Sequence, residues 1–173
     1  ATPQIEGSIG NGYAYLDMNT IAAGDNFGSS VSLDLSLGQV RLAIGAQRED
    51  GFGVVTANNY GSVYLFSFAD NTFTTPVLEA TIGANYTGGK NLSVGLNLDD
   101  NFGTSVSLDG LQLAVGTVGD ENSGALNTGA VHLISFADEF FNTPVLDGIL
   151  GVDYNGGESL DLTTILDAGD QFG

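Results

Sequence analysis

The sequence contains an internal repeat of about 70 residues, a period that indicates tandem copies of one structural unit. The segment 24–34, GDNFGSSVSLD, recurs at 99–109 as DDNFGTSVSLD, and residues 169–173 begin the same motif a third time. The dipeptide Thr-Pro recurs with nearly the same spacing, at 2–3, 75–76 and 143–144. Because the two landmarks shift together, we interpret the repeat as genuine. Since the chain stops just after a third copy begins, we expect it to be an excerpt of a longer repeat array.

This repeat divides the chain into four segments. They are the end of a preceding unit (1–24), a first complete unit (25–99), a second complete unit (100–169) and the start of a third (170–173). The two complete units are called unit 1 and unit 2 below.

Alternating apolar residues and turn residues predict four strands in each unit. In unit 1 the runs are bounded by Gly, Asp, Asn or Pro and cover residues 27–34, 39–46, 61–69 and 76–83. In the third run, Val63 and Leu65 alternate with aromatic residues, so both faces of this strand need apolar cover. Stacked four-stranded sheets provide that cover, as in the blades of a β-propeller.

We therefore predict an all-β fold of tandem four-stranded antiparallel sheets, about two propeller blades in this chain. The alternatives are an open stack of blades and a three-sided β-helix, since one unit has the length of three rungs. The hairpin signal Asp109-Gly110 argues against the β-helix, because it joins antiparallel strands. In the first run, Val31 and Leu33 alternate with serines, which predicts one better-buried face.

Three motifs of unit 1 resemble those of a known repeat family. They are Phe-Gly-x-Ser-Val from Phe27, an apolar strand ending in Gly45-Ala46, and Gly-x-Val-Tyr-Leu-Phe from Gly61. This succession is similar to the FG-GAP repeat of integrin α-subunit propellers and of many large bacterial surface proteins, and the similarity extends over essentially the whole chain. The resemblance implies propeller blades and an extracellular or cell-surface location.

In that family, the loop between the first two strands commonly carries a calcium site of the form Asp-x-Asn/Asp-x-Asp-Gly, whose oxygens suit a hard cation. The equivalent loops here are 34–38 and 109–110, with one carboxylate each at the family's positions. The family's ligands therefore do not carry over, and we expect no cofactor and no tight calcium site in these hairpins. Weak calcium binding is left open at the loop acids Asp99, Asp100, Asp120 and Glu121.

Composition limits the classes of partner and of chemistry. With 3 Lys and Arg against 21 Asp and Glu, the formal net charge is -18, which repels nucleic acid and anionic membranes and is compatible with an extracellular setting. No apolar run is long enough to insert into a membrane. Without Cys, with a single His and without a Gly-x-Ser-x-Gly motif, the chain offers no zinc site and no acyl-transfer triad, so we expect no enzymatic activity.

Residues that recur at the same repeat position are interpreted as structural. The aspartates are expected to accept backbone N–H bonds in a turn, and the phenylalanines to pack between blades. His132 aligns with Tyr64 inside the third strand, where a half-buried ring is expected. The repeated set is Asp25, Phe27, Gly28, Asp100, Phe102, Gly103, Asp170, Phe172 and Gly173.

Binding residues concentrate on variable loops, and the loops between the second and third strands vary most, at 47–60 and 118–128. We expect exposed contact residues there. The candidates are Arg48, Glu49, Asp50, Asn58, Asn59, Tyr60, Asp120 and Glu121.

These features favour a structural or adhesive interaction module of a large extracellular repeat protein, with a capacity for self-assembly. The expected partners are other copies or further repeats of the same protein, and surface glycans or proteins. The alternative is a glycan-binding or glycan-cleaving propeller, in which two carboxylates would act as acid and base.

Overall fold

The computed structural model describes residues 5, 7–54, 58–122 and 127–173. Within these residues the chain forms strands and turns and no helix. The strands are β1 (Ile9–Gly10), β2 (Leu16–Asp17), β3 (Phe27–Asp34), β4 (Val40–Ala46), β5 (Ser62–Phe68), β6 (Val77–Gly83), β7 (Leu92–Ser93), β8 (Phe102–Asp109), β9 (Gln112–Thr117), β10 (Ala130–Ser135), β11 (Val145–Gly151) and β12 (Leu160–Asp161).

Each unit forms one sheet with the same topology. Sheet 1 has the order β3-β4-β5-β6-β7, and sheet 2 has the order β8-β9-β10-β11-β12. The first four strands of each sheet are antiparallel neighbours, so the predicted all-β fold of two blade-like sheets is confirmed. Hairpin connections exclude the β-helix, and the two sheets do not close a ring.

A short fifth strand, which the sequence did not predict, ends each sheet. It runs parallel to its neighbour, with Ile82 opposite Leu92 in sheet 1 and Leu150 opposite Leu160 in sheet 2. The pair β1 and β2 repeats this parallel pairing. The segment 1–24 therefore contains the same terminal pair, although residues 1–4 and 6 lie outside the described residues.

The Asn-Phe-Gly motif produces a bulge at the start of each first strand. Asn26 and Gly28 adopt positive φ values of 56° and 89°, a region that Asn and Gly tolerate better than other residues. Phe27 then pairs with Ala46, whereas Ser30 pairs with the adjacent Gly45, which leaves two residues of β3 unpaired. The same shift occurs in β8, so the repeated motif encodes a repeated bulge.

The predicted cover on both faces of β5 is confirmed, because all seven of its residues are buried. Val63 and Leu65 face sheet 2 and belong to the core between the two sheets. Tyr64 and Phe66 belong to a second core, which the segment with Met18 covers on the opposite side.

The first strand of unit 1 has one better-buried face, as expected, and it is the face with the serines. Val31 and Leu33 are 64% and 47% exposed, whereas Ser30 and Ser32 lie against sheet 2. The Ser30 hydroxyl donates to the Gly103 carbonyl at 2.7 Å, and the Ser32 hydroxyl accepts the Leu108 N–H at 2.9 Å. Strand alternation separates two faces, but the neighbouring sheet decides which of them is covered.

Candidate functional site

The aspartate two positions before each repeated phenylalanine closes a tight turn, because its side chain accepts the backbone N–H of the residue three positions earlier. Asp25 Oδ2 accepts the Ala22 N–H at 2.7 Å, and Asp100 Oδ2 accepts the Asn97 N–H at 2.6 Å. Asp170 Oδ2 accepts the N–H of the residue three positions earlier at 2.8 Å. All three carboxylates therefore hold the same turn in front of the bulge.

The repeated phenylalanines differ in burial. Phe102 is fully buried and packs edge-on against His132, with ring centroids 5.3 Å apart. Phe27 is half-buried and packs edge-on against Tyr64 at 5.6 Å, and Phe172 is also half-buried. The difference arises because Phe102 lies at the joint between two sheets, where its N–H also bonds to Tyr60 of unit 1 at 2.9 Å.

A cleft of about 500 Å³ opens in unit 1, between the Asp25 turn and the loop after β4. Its wall combines carboxylates with aromatic rings. The residues that define it are Asp25, Glu49, Asp50, Phe52, Tyr64 and Tyr86.

Glu49 lies under this cleft and is buried, although it was expected to be exposed. Its Oε2 accepts the Gly51 N–H at 2.8 Å and the Ser62 hydroxyl at 2.6 Å, and its Oε1 accepts the Tyr86 hydroxyl at 2.9 Å. Three donors compensate for the burial of the carboxylate. Glu49 therefore fixes the positions of the loop and of the Tyr86 ring.

Asp50, next in the chain, holds the two ends of the same loop together. Its Oδ1 accepts the N–H groups of Asn58 at 2.7 Å and of Asn59 at 3.2 Å. Residues 55–57 of this loop lie outside the described residues. Asp50 is half-buried and lines the cleft, so it keeps part of the exposure expected of a contact residue.

The segment 58–60 binds the segment 99–102, where unit 1 continues into unit 2, through Asn58, Asn59 and Tyr60. The Asn58 carbonyl accepts the Asp99 N–H at 2.8 Å, and the Asn59 side chain donates to Asp99 Oδ1 at 2.6 Å. The Asn59 carbonyl accepts the Asn101 N–H at 3.1 Å. Arg48 is exposed and lines a smaller depression beside Asn59 and Asp99.

In unit 2, Asp120 occupies the position of Glu49 and is also buried. It accepts the Tyr154 hydroxyl at 3.0 and 2.8 Å, as Glu49 accepts that of Tyr86. Burial raises the pKa of Asp120. Tyr86 and Tyr154 begin matched turns of the form Tyr-x-Gly-Gly, at 86–89 and 154–157. The sequence alone did not identify these tyrosines as partners of the loop carboxylates.

Asp100, at the start of unit 2, is a carboxylate whose surroundings raise its pKa. It is buried, and its Oδ1 has no hydrogen-bond partner among the described residues. Burial, together with the negative charges of Asp120, Glu121 and Asp99, raises the pKa of Asp100 to about 7.

The acids considered for weak calcium binding thus include two buried neighbours, Asp100 and Asp120. Within the described ranges, no three side chains of His, Cys, Asp or Glu form a group that could hold a metal ion. Weak calcium binding at these acids stays a prediction.

His132 is fully buried rather than half-buried. Its Nδ1 lies 3.0 Å from the Thr117 hydroxyl, and burial lowers its pKa to about 4. The neutral ring therefore acts as a core residue beside Phe102.

The fold and the repeated turns define the class of protein: tandem blades of the β-propeller type, each opened by an Asp-x-Phe-Gly turn. The family model of the FG-GAP repeat matches residues 19–66 and 96–134, which together make up half of the chain. The chain therefore belongs to the FG-GAP repeat family. Each matched segment covers the first two strands of a sheet and ends within the third. No curated protein matches the chain. Among the described residues, no helix has the length and apolar character needed to cross a membrane.

Proposed function

We propose that this chain is a structural or adhesive interaction module of an extracellular or cell-surface protein, in which blades bind one another face to face. FG-GAP repeats are typical of extracellular adhesion modules. The net charge of -18 adds support, since a strongly acidic surface remains soluble in a saline setting.

One observation carries the proposal: equivalent sheet faces differ in how far they are covered. In sheet 1, Val63 and Leu65 are fully buried by unit 2. In sheet 2, the equivalent Val131 and Leu133 are only half-buried. Because unit 2 covers such a face within this chain, a further repeat or a second copy has the right shape to cover the other one.

The opposite end of the stack shows the complementary feature. Leu108 of β8 is buried against β3, whereas the equivalent Leu33 and its neighbour Val31 are exposed. A partner blade that presented serines, as β3 presents Ser32 to Leu108, would cover this pair. The exposed face of sheet 1 and the half-covered face of sheet 2 are therefore complementary, in the same way as the two faces that meet between the units. Copies of the chain would associate head to tail through these faces.

Sedimentation equilibrium over a range of protein concentrations tests this proposal. We expect the wild type to self-associate, and the double variant Val31→Lys and Leu33→Lys to remain a monomer. Leu35→Lys is the control, because Leu35 is also exposed but lies in the turn after β3. A folded wild type that stays monomeric at every concentration would remove copies of the chain as partners and count against a ring formed from such copies.

The glycan alternative has one favourable observation, the cleft of unit 1 with aromatic rings beside carboxylates. Cleavage would need two carboxylates that act as acid and base. Glu49 already accepts three hydrogen bonds, so Asp25 and Asp50 would have to fill these roles. A glycan array without hits, together with no release of reducing ends from model polysaccharides, would remove this alternative.

A further inference from the structure

The lining of the cleft in unit 1 combines carboxylates that have no basic partner with the faces of aromatic rings. We propose that the cleft of unit 1 binds a small organic cation that carries an alkylammonium group, held by Asp25 and Asp50 against the rings of Phe52 and Tyr86.

Two carboxylates that line the cleft each have one oxygen that accepts no hydrogen bond from the described residues. Asp25 is 6% exposed; its Oδ2 accepts the Ala22 N–H, and its Oδ1 accepts no hydrogen bond from the described residues. Asp50 uses Oδ1 for two backbone N–H groups, whereas its Oδ2 accepts none from the same part of the chain. A carboxylate that lines a cleft and keeps one oxygen without a donor favours a cationic hydrogen-bond donor or a positive charge.

No basic side chain of the described residues lines the cleft to neutralise these groups. Glu79 also lines it, but Glu79 is paired with Lys90. Burial and the nearby charges of Glu49 and Asp50 raise the pKa of Asp25, as expected where like charges lack a counter-ion. A cation in the cleft would relieve this repulsion, and an anionic ligand would increase it.

The aromatic side of the cleft suits an alkylammonium group better than a metal ion. The ring centroids of Phe52 and Tyr86 lie 5.7 Å apart, and the ring planes are inclined by 51° to each other. The two rings therefore form adjacent, angled sides of the cleft. Ring faces attract an organic cation, whereas calcium requires six to eight oxygen ligands. The volume of about 500 Å³ lies within the range of small-molecule sites.

Phe52 lines the cleft although the residue is 66% exposed. Its N–H donates to the Ala84 carbonyl at 3.0 Å, so the backbone on either side of the ring is fixed. At the matching repeat position of unit 2 the sequence has Ser123, which lies outside the described residues. A residue that does not recur with the repeat is not required by the blade itself, which supports a role specific to this cleft.

Isothermal titration calorimetry with choline chloride tests the proposal at about pH 7.5, with ionic strength held constant by NaCl. The matched probe is 3,3-dimethyl-1-butanol, which has the shape of choline without its charge. We expect choline to bind about tenfold more tightly than the alcohol, since the positive charge carries the attraction. Equal affinities, or no binding of choline, would overturn the proposal.

Variants distinguish the cleft from the acidic surface as a whole. We expect Phe52→Leu and Asp50→Asn each to weaken choline binding several-fold, since each removes one wall of the site. Tyr13→Leu and Asp109→Asn are the controls, because both residues are exposed and lie outside the cleft. Equal loss in the controls, or full displacement of choline by equimolar calcium, would overturn the assignment of the site.

Discussion

Gly61 and Phe102 form a parallel β-bridge across the joint between the two units. Gly61 adopts a φ of 85°, and a Cβ atom at this position would lie 2.1 Å from the Phe102 carbonyl oxygen. The same bridge recurs between Gly129 and Phe172. Glycine is therefore needed here both for its backbone conformation and for the close approach of the next unit.

Alanine substitutions at Gly61 and at Gly88 should separate the conformational requirement for glycine from the steric one. We expect Gly61→Ala to lower the free energy of unfolding by about 3 kcal/mol or more, because the methyl group pushes the bridge apart. Gly88→Ala is the matched control: Gly88 has a φ of 82°, but nothing lies within 4 Å of its added Cβ. It should lose only about 1 to 2 kcal/mol for the left-handed conformation. Urea denaturation measures both, and equal losses would contradict the steric role of the bridge.

Arg41 is a fully buried cation that connects the units. Its Nη2 forms an ion pair with Asp34 and donates to the Gly110 carbonyl of unit 2 at 2.6 Å, and its guanidinium lies 5.4 Å from the centre of the Phe141 ring. Burial alone would raise the pKa of Asp34, but hydrogen bonds from Ser36 and the ion pair with Arg41 lower it. We expect Asp34→Leu to cost about 3 to 5 kcal/mol, because it leaves a buried charge unpaired.

The double variant Asp34→Leu with Arg41→Met is the control for this prediction. Because it removes both charges, its loss in the free energy of unfolding should be smaller than the sum of the two single losses. Chemical denaturation of the four proteins gives the coupling energy. Additive losses would mean that the ion pair does not stabilise the joint.

The four main strands of each unit could be predicted from the sequence, and the fifth could not. In unit 1 the predicted limits differ from the observed ones by at most one residue at either end, since alternation and turn residues are local signals. The fifth strand has two residues and pairs in parallel with a neighbour already defined by its own turn. A run of two residues carries no period that a sequence pattern could reveal.

The candidate site shows where local reasoning fails. Glu49 was assigned to an exposed loop, but Tyr86, which is 37 residues away in the chain, donates to it. Asn59 was assigned as a contact residue, and it does make contacts, with Asp99 of the same chain. The burial of Glu49 and the contact of Asn59 both depend on residues that are distant in the chain and that the fold brings together. The composition of a loop carries no information about such contacts.

Asp100 should make stability depend on pH between about 4 and 7. The carboxyl group has a pKa near 4 in an unfolded chain and about 7 in the folded protein. The folded state therefore holds the proton more tightly, and this stabilisation is present below about pH 4 and lost as the pH rises through 7. We expect Asp100→Asn to reduce the decrease in Tm between about pH 5 and pH 8, because the amide remains neutral.

The control for this titration is Asp109→Asn, which changes an exposed carboxylate in the same unit. It should keep the pH dependence of the wild type. The amide oxygen at position 100 can still accept the Asn97 N–H, so the turn is retained. If the Asp100 variant and the wild type show the same change in Tm, the buried carboxyl does not titrate in this range.

We expect no specific calcium site in the hairpins between the first two strands of each sheet. At these hairpins, calcium should stabilise the protein no more than other salts of equal ionic strength. In unit 1 the hairpin carboxylate, Asp34, is buried and paired with Arg41, so it has no free charge for a metal ion. In unit 2 the hairpin contributes the single exposed carboxylate of Asp109, far fewer than the six to eight oxygens that calcium requires. Thermal melts with CaCl₂, MgCl₂ and NaCl at matched ionic strength should therefore give equal shifts in Tm, which reflect only the screening of the net negative charge. A large, saturable shift at micromolar calcium that Asp109→Asn abolishes would contradict this prediction, whereas a weak shift that Asp120→Asn abolishes would assign calcium to the loop acids of unit 2.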